Sequence, residues 1–286
     1  MTTNAWASTL NQARIRRQSR ELPESAPARV TASSKLEAVL RRYTAISLEE
    51  MDSVALLNRV DTKFIIPIAK LAPTLGFLQN EYNILTVKGK CFNHYRTLYF
   101  DTPAFDLFNM HVNGQADRYK IRSREYMDTH LSFLEVKHKT HKERTIKQRI
   151  STEQPVLRVY GDTEDWLDSV YPFETGDLEP KTWNNFTRIT LVNMERCERV
   201  TVDMDITFFN ANRFTRLDGI AVAEVKLDAQ SKNSPFKLHM RSQHIQPQGF
   251  SKYCMGTSML YDQVKKNSLK SSMLWIEKVS KGAINE

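Results

Sequence analysis

Residues 118–126 read Arg-Tyr-Lys-Ile-Arg-Ser-Arg-Glu-Tyr, and residues 131–139 read Leu-Ser-Phe-Leu-Glu-Val-Lys-His-Lys. Charged and uncharged residues alternate in both stretches, and a period of two predicts a β-strand with two unlike faces. The charged faces carry Lys120, Arg122 and Arg124 in the first stretch, and Glu135, Lys137 and Lys139 in the second. Basic side chains therefore recur on one face of two successive predicted strands.

The same alternation extends along the chain in both directions. It predicts strands at 59–66, 94–101, 118–126, 131–139, 144–151, 185–193, 198–209, 212–216 and 219–227. A sheet with so many long antiparallel strands leaves no exposed edge if it closes on itself. We therefore predict an α+β fold, a closed antiparallel eight-stranded β tunnel barrel with flanking helices.

Helical patterns flank and interrupt these strands. Ser47 and Glu50 have the spacing of a capping box, and helices are predicted near 34–40, over 69–82, within the acidic stretch 160–179 and near the C-terminus. We divide the chain into a basic, largely flexible N-terminal arm with a short helix (1–45), a tunnel domain (46–263) with a helical insertion at about 154–182, and a C-terminal helical tail (264–286).

Charge is unevenly distributed along the 286 residues. The net charge is +8, but residues 1–45 hold eight basic and three acidic residues, and residues 264–286 hold five basic and two acidic ones. The segment between them is neutral overall, which favours a localised anion site over a uniformly basic nucleic-acid surface. The basic termini suggest a possible peripheral association with a membrane.

The sequence also constrains the compartment. It has no apolar run of about 18 residues and no signal-peptide pattern, so we expect a cytoplasmic protein without a transmembrane segment. Its three cysteines fit no metal-ligand spacing, and we expect them to be reduced and mostly buried.

Further charged residues share the polar faces of the other predicted strands. They are Arg59 with Asp61 and Lys63, Lys147 with Arg149, Arg188 alone, Asp203 with Asp205, and Glu224 with Lys226. These faces could be solvated outer surfaces. However, like charges on neighbouring strands repel one another, so a face this basic is better explained as an interior that binds a polyanion. The carboxylates Glu135, Asp203, Asp205 and Glu224 could then orient the cations or hold a divalent metal between themselves and phosphate oxygens.

Six motifs carry a resemblance to a known family. They are Arg59-Val60-Asp61-Thr62-Lys63-Phe64, Tyr95-Arg96-Thr97-Leu98-Tyr99-Phe100-Asp101-Thr102-Pro103, Lys120-Ile121-Arg122-Ser123-Arg124, Phe133-Leu134-Glu135-Val136-Lys137, Ala223-Glu224-Val225-Lys226 and Phe250-Ser251-Lys252-Tyr253. In this order, over roughly residues 55–262, the chain resembles the VTC-type polyphosphate polymerase domain, a branch of the triphosphate tunnel metalloenzymes. The resemblance implies an eight-stranded tunnel, Mn²⁺ or Mg²⁺, and transfer of the ATP γ-phosphate to inorganic polyphosphate.

The resemblance also implies roles for single residues. Phosphate ligands with a catalytic role would be Lys63, Arg122, Arg124, Lys137, Arg188 and Lys252, and the metal ligand would be Glu224. Further cations on the same faces are predicted to bind substrate: Arg59, Lys139, Lys147, Arg149 and Lys226. The first strand departs from the Glu-x-Glu-x-Lys pattern of the wider superfamily, which leaves metal binding dependent on Glu224. The sequence carries neither the phosphate-sensing module nor the membrane spans of the yeast-like polymerases, so we do not expect this chain alone to translocate its product.

The same residues also fit functions other than polymer synthesis. The same tunnel could act as a metal-dependent tripolyphosphatase or polyphosphatase, or as a non-catalytic module that binds polyphosphate, ATP or another nucleoside triphosphate. His138 and His141 are predicted to be surface residues, because we expect them on opposite faces without a carboxylate to complete a metal site. Tyr95, Tyr99 and Phe100 are predicted to belong to the barrel wall, although aromatic residues beside Arg96 could also stack on bases.

Overall fold

The computed structural model describes residues 30–52, 59–142, 144–228 and 233–280. These residues form eight α-helices and eleven β-strands. Most of the predicted N-terminal arm lies outside the described residues. No helix in the described part is long and apolar enough to cross a membrane.

The strands agree closely with the predicted segments. They are β1 (Ala45–Ile46), β2 (Arg59–Pro67), β3 (Asn83–Leu85), β4 (Asn93–Asp101), β5 (Arg118–Tyr126), β6 (Leu131–Lys139), β7 (Thr145–Thr152), β8 (Glu179–Asn193), β9 (Glu198–Phe209), β10 (Phe214–Arg216) and β11 (Ile220–Asp228). The helices are α1 (Val30–Leu40), α2 (Leu48–Asp52), α3 (Ile68–Leu78), α4 (Asp106–Val112), α5 (Asp162–Val170), α6 (Pro235–Ser242), α7 (Lys252–Leu260) and α8 (Lys270–Ser280).

Eight long strands form one continuous antiparallel ladder. Their order is β2-β11-β9-β8-β4-β5-β6-β7, and β10 and β3 extend it beside β9 and β8. The α+β class and the large antiparallel sheet are therefore confirmed. Within the described residues no pairing joins β2 to β7, so closure into a barrel stays a prediction. The short parallel pair of β1 and β3 was not predicted.

The register aligns the charged positions of neighbouring strands. Lys63 lies opposite Glu224, Arg188 opposite Asp203, and Arg122 opposite Glu135. Directly opposed residues in an antiparallel pair project from the same face. The charged faces predicted strand by strand thus form one continuous face of the sheet, which we call the inner face.

Two groups of helices cover the other face of the sheet. Helices α1, α3 and α6 pack on β2, β8, β9 and β11 through a core that includes Leu40, Leu75, Met240, Val202 and Val225. Helix α5 packs through Leu167 on the outward residues of β4, β5 and β6. Helices therefore flank the sheet, as predicted, and they cover its apolar face while the charged side chains project from the other face.

Helix α7 packs against one end of the inner face. Its residues Met255 and Leu260 join Ile65 and Val222, which lie on the inner face, in a buried cluster. Gly256 lies so close to Phe208 that an added Cβ would be 2.4 Å from the ring. The glycine therefore allows the close approach of helix and sheet. Ser251 caps the helix by accepting a hydrogen bond from the Cys254 amide at 3.2 Å.

Local capping signals explain other helix starts. Ser47 and Glu50 form the predicted capping box, because the Ser47 amide donates to the Glu50 carboxylate at 2.7 Å and the Glu50 amide donates to the Ser47 hydroxyl at 3.2 Å. Asp101, at the end of β4, accepts hydrogen bonds from the Leu107 and Phe108 amides in the first turn of α4. The charge of Asp101 at this helix N-terminus is also favourable to the helix dipole.

Several predictions about single residues and boundaries are wrong. Strand β8 begins at Glu179 instead of 185, and the acidic helix spans only Asp162–Val170. Asp205 does not share the inner face with Asp203, because the register between β8 and β9 shifts here and Asp205 has a positive φ of 52°. The Asp205 carboxylate pairs instead with Arg216 on the outer face. The alternation places Ile146 on the apolar side of β7, where we expect burial, but its side chain is 47% exposed. Of the three unbridged cysteines only Cys254 is buried, and Cys197 is exposed.

Candidate functional site

The inner face gathers basic side chains from six strands and from α7. The basic residues are Lys63, Lys120, Arg122, Arg124, Lys137, Lys147, Arg149, Arg188, Lys226 and Lys252, and the acidic ones are Asp61, Glu135, Asp203 and Glu224. Cations thus clearly outnumber carboxylates. The geometry of each carboxylate shows which cations it neutralises.

Glu135 of β6 lies between two cations from the strands on either side. The Arg122 Nε atom donates to Glu135 at 2.7 Å, and the Lys147 Nζ atom lies 2.5 Å from its other oxygen. The Glu135 side chain is 1% exposed. Burial opposes its ionisation, but Arg122, Arg124 and Lys147 outweigh it and lower the pKa of Glu135 to about 2. Desolvation in turn lowers the pKa of Lys147 to about 8, against the attraction of Glu135.

Asp203 of β9 forms a second cluster with Arg188 and Lys252. Arg188 donates to both carboxylate oxygens, through Nε at 2.6 Å and Nη2 at 2.8 Å, which is the bidentate geometry that suits this pair. The Lys252 Nζ atom also donates to Asp203. Burial would raise the pKa of Asp203, but the two cations hold it well below its usual range. Burial lowers the pKa of Lys252 to about 8.

Glu224 of β11 accepts a hydrogen bond from Lys226, its neighbour on the same strand face. Lys63 lies opposite Glu224 on β2. Burial opposes the charge of Glu224, whereas Lys226, Lys63 and Arg188 hold its pKa well below the usual range. Glu224 is therefore an ionised carboxylate in a cationic environment.

Three other cations of the face contact neutral acceptors. The Lys63 Nζ atom donates to the Phe250 carbonyl at 2.7 Å, the Lys120 Nζ atom to the Ser251 hydroxyl at 2.9 Å, and the Arg124 Nε atom to the Thr97 hydroxyl at 3.3 Å. Burial lowers the pKa of Lys120 to about 8 and also lowers that of Arg124. These neutral contacts hold the side chains in place without cancelling their charge, so the charge remains available to an anion.

The inner face is concave across its width. Desolvation lowers the pKa of Lys137 on β6, and Lys63 and Arg122 lower it further, while Glu224 and Asp61 oppose the shift. Strand β6 is far from β2 and β11 in the order of the sheet. The side-chain contacts agree, because Lys63 of β2 and Lys120 of β5 reach the adjacent residues Phe250 and Ser251. Five steps of the ladder separate these two strands, so the sheet must curve to bring them together across the inner face.

The structure brings most of the predicted site residues to this face. Lys63, Arg122, Arg124, Lys137, Arg188, Lys226, Lys252 and Glu224 surround its centre, and Lys147 joins them through Glu135. Arg149 is displaced toward Phe133, over whose ring it lies. Lys139 is at the end of β6, opposite Arg118 and Thr145. Arg59 begins β2, but its side chain lies outside the described part of the structure.

The predicted set of site residues omits Lys120, although the alternation places it on the charged face, and it omits Ser251. Lys120 shares the period-two pattern of Arg122 and Arg124, so the alternation itself could have placed it in the site. Ser251, in contrast, contacts Lys120 only because α7 packs against the inner face. No local pattern predicts that contact.

The prediction that His138 and His141 lack a carboxylate is wrong. Asp117 accepts from both rings, with 2.8 Å to His138 Nε2 and 3.3 Å to His141 Nδ1. This cluster lies near the end of β6, away from Glu224. Among the described residues no group of three or more His, Cys, Asp or Glu side chains is arranged to hold a metal ion.

The donors around Glu224 fit one kind of divalent metal site. Mg²⁺ and similar hard cations are commonly held by one or two carboxylates together with substrate phosphate oxygens and water. Glu224 is ionised and surrounded by cations that would bind such phosphates. Glu224 therefore fits a metal ion that is coordinated mainly by substrate phosphate oxygens and water. The protein residues around it would supply only part of the coordination.

Comparison with known proteins gives a family match. The family model of the VTC domain matches residues 58–261. No curated protein matches the chain.

The solved structures that match this chain are only weakly similar to it. A candidate adenylate cyclase from Bacillus halodurans is 13% identical with a TM-score of 0.44, and the alignment covers 68% of this chain and 94% of that one. HpAC1 from Hippeastrum, described with a dominant triphosphatase activity, is 12% identical with a TM-score of 0.43, covering 71% and 97%. A candidate adenylate cyclase from Vibrio parahaemolyticus is 14% identical with a TM-score of 0.41, covering 69% and 97%.

The buried cluster around Glu135 gives a prediction about stability. Glu135→Gln leaves Arg122 and Lys147 without their carboxylate, and we expect it to lower the free energy of unfolding at pH 7 by about 2 to 3 kcal/mol. Because the folded pKa of about 2 lies below the ordinary value of 4.5, the ionised Glu135 contributes stability above pH 4.5 and loses it as the pH falls toward 2. The difference between wild type and variant should therefore shrink over that range in urea denaturation.

The matched control is Glu179→Gln. Glu179 also pairs with a lysine, Lys181, but its side chain is 52% exposed. An exposed pair is worth at most about 1 kcal/mol, so the control should remain close to wild type. Equal effects of the two substitutions would contradict the description of Glu135 as the carboxylate that holds the inner face together.

Proposed function

Since the chain belongs to the VTC domain family, we propose that it is a polyphosphate polymerase-like phosphotransferase that uses the ATP γ-phosphate to extend inorganic polyphosphate. The observation that carries this proposal is the excess of cations over carboxylates on a concave face, where seven of the ten cations named above are at least partly buried. Such an arrangement is costly unless a polyanion offsets the repulsion. The substrates we propose are ATP or another nucleoside triphosphate and polyphosphate.

Each group of cations has a distinct role in this proposal. Arg122, Arg124 and Arg188 offer planar, multiple donors to phosphate oxygens, whereas Lys63, Lys137 and Lys252 supply compact charges. Lys147, Arg149, Lys226, Lys139 and Arg59 would bind the chain on either side of the reacting phosphate. The closed eight-stranded tunnel belongs to this proposal, because a chain of phosphates needs neutralising charge on all sides.

Phosphoryl transfer depends mainly on positioning and on charge stabilisation. Glu135 and Asp203 hold the Arg122 and Arg188 guanidinium groups in fixed orientations, so little reorganisation is needed when the phosphate enters. No side-chain nucleophile is required, because a terminal phosphate oxygen of the polymer attacks the γ-phosphorus and ADP leaves. A divalent ion, Mn²⁺ or Mg²⁺, held by Glu224 and phosphate oxygens would supply further charge neutralisation.

A hydrolase would use the same phosphate ligands with water as the attacking group. Incubation of the purified protein with ATP and Mn²⁺, followed by separation of the products on a gel, distinguishes the two activities. We expect polymer. Orthophosphate without polymer would indicate a hydrolase, and absence of turnover with retained ATP binding would indicate a binding module.

The same assay tests the role of the inner face. Arg122→Ala should lower kcat/KM. The loss of transition-state stabilisation calculated from the ratio of the two values should be about 2 to 4 kcal/mol, as for other preorganised charge donors. The control is Arg96→Ala, because Arg96 lies on the opposite face of β4 and pairs with Glu125 at 3.7 Å. Nearly full activity of Arg122→Ala would contradict the assignment of the face to substrate binding.

Glu224→Gln tests the metal assignment. We expect the loss of Mn²⁺-dependent turnover, because the amide is a much weaker ligand than the carboxylate. Binding of tripolyphosphate without metal should be retained or tighter, because one negative charge has been removed. Turnover and calorimetric binding are measured as Mn²⁺ is titrated, and an unchanged metal requirement would remove Glu224 from the metal site.

A further inference from the structure

Four aromatic rings form a connected strip along the inner face. Phe186 and Tyr95 are stacked with ring centroids 5.0 Å apart, Tyr95 and Tyr126 are 5.0 Å apart, and Tyr126 contacts Phe133 edge to face at 5.8 Å. The register supports this continuity, because Tyr95 lies opposite both Phe186 and Tyr126, and Phe133 lies opposite Arg124. The strip therefore crosses β8, β4, β5 and β6 on the same face as the phosphate-binding cations.

The two ends of the strip differ in their surroundings. At the Phe186 end, the guanidinium carbon of Arg188 lies 5.2 Å from the ring centroid and the Lys252 Nζ atom lies 4.3 Å from it. At the Phe133 end, Arg149 lies over the ring at 4.5 Å. Phe186 is buried, whereas Tyr126 and Phe133 are only partly buried.

The Phe133 end lies beside the turn between β5 and β6. Leu131 is opposite Tyr126 in the register and is 51% exposed, so an apolar side chain on the inner face meets solvent here. Helix α7 packs at the other end of the face, around Lys63, Lys120 and Asp203. Tyr126, Leu131, Phe133 and Arg149 thus lie at the end of the face opposite α7, where Leu131 and Arg149 are exposed. We call these four residues the aromatic mouth.

Polyphosphate alone does not explain the aromatic mouth. The faces of aromatic rings carry partial negative charge, and an inorganic phosphate chain has no apolar or π surface to place against them. A nucleoside triphosphate, however, carries both a planar base and a phosphate chain. Aromatic rings and planar guanidinium groups are common stacking partners for bases.

We propose that the aromatic mouth, formed by Tyr126, Leu131, Phe133 and Arg149, is the subsite for the nucleobase of the phosphate donor. This inference rests on the proposed function, because it assumes that a nucleotide binds to the inner face. The base stacks at the mouth and the triphosphate extends inward to Arg124 and Arg122. Tyr126 and Arg122 are four residues apart on β5, about 13 Å along an extended strand, which leaves room for the sugar between base and phosphates.

The proposed subsite recognises the shape of a base and not its hydrogen-bonding edge. Stacking is tolerant of base identity, because every base has a π face. We therefore expect ATP and GTP to bind with similar affinity. Binding of tripolyphosphate, which lacks a base, should not depend on the aromatic rings of the mouth, although Arg149 is assigned to bind phosphates as well.

Phe133→Leu tests this proposal in the full chain. The substitution keeps an apolar side chain but removes the ring, and calorimetry compares the dissociation constants of ATP and tripolyphosphate at fixed ionic strength without metal. We expect ATP binding to weaken about tenfold, the range found for loss of one stacking partner. Tripolyphosphate binding should change by less than about twofold, and this unchanged binding also shows that the variant is folded.

The matched control is Phe173→Leu, because Phe173 is an exposed aromatic residue that contacts Tyr119 and Tyr171 outside the mouth. It should leave the affinities for both ligands unchanged. The proposal is overturned if Phe133→Leu weakens ATP and tripolyphosphate equally, or weakens neither. If the wild-type protein binds neither ligand, the proposed function itself fails, and this outcome is distinct from the other two.

Discussion

Repulsion among buried like charges is the constraint on which this structure depends. The inner face brings cations from β2, β5, β6, β7, β8 and β11 together, and only a few carboxylates lie among them. Glu135 and Asp203 each pair with two cations and offset only one of the two positive charges, and Glu224 pairs with Lys226. Lys63, Lys120 and Arg124 are held by neutral oxygens instead. The fold thus keeps a surplus of positive charge fixed in position, at a cost in stability that a bound anion would offset.

The rest of the architecture supports this face from outside. Because the inner face holds so little apolar surface near its centre, the hydrophobic core lies between the sheet and the helices α1, α3, α5 and α6. Helix α7 adds apolar packing at one end, where Gly256 allows contact with Phe208. At the opposite end of the face, beside the turn between β5 and β6, lie Tyr126, Leu131 and Phe133. The two ends of the face therefore differ chemically, and this difference would give a bound phosphate chain a direction.

Period-two alternation predicts the strands and the inner face well where a strand has one charged and one apolar side, as β5, β6 and β11 do. Lys120, Arg122 and Arg124 are an example, since their shared face follows from sequence spacing alone. The alternation fails at Asp205, where a register shift and a positive φ turn the side chain outward. It also cannot predict which carboxylate meets which cation. Arg122 with Glu135, and Lys252 with Asp203, depend on strand order and on the position of α7.

The effect of a polyanion on thermal stability tests the central claim most directly. If the inner face is a fixed surplus of positive charge, tripolyphosphate at a hundredfold excess over its dissociation constant should stabilise the folded protein by about 2.7 kcal/mol. Melting temperatures are compared in tripolyphosphate and in NaCl of the same ionic strength. A clear rise with tripolyphosphate alone is the predicted result. Equal melting temperatures in the two solutions would contradict the account, because the charged face would then behave as an ordinary solvated surface.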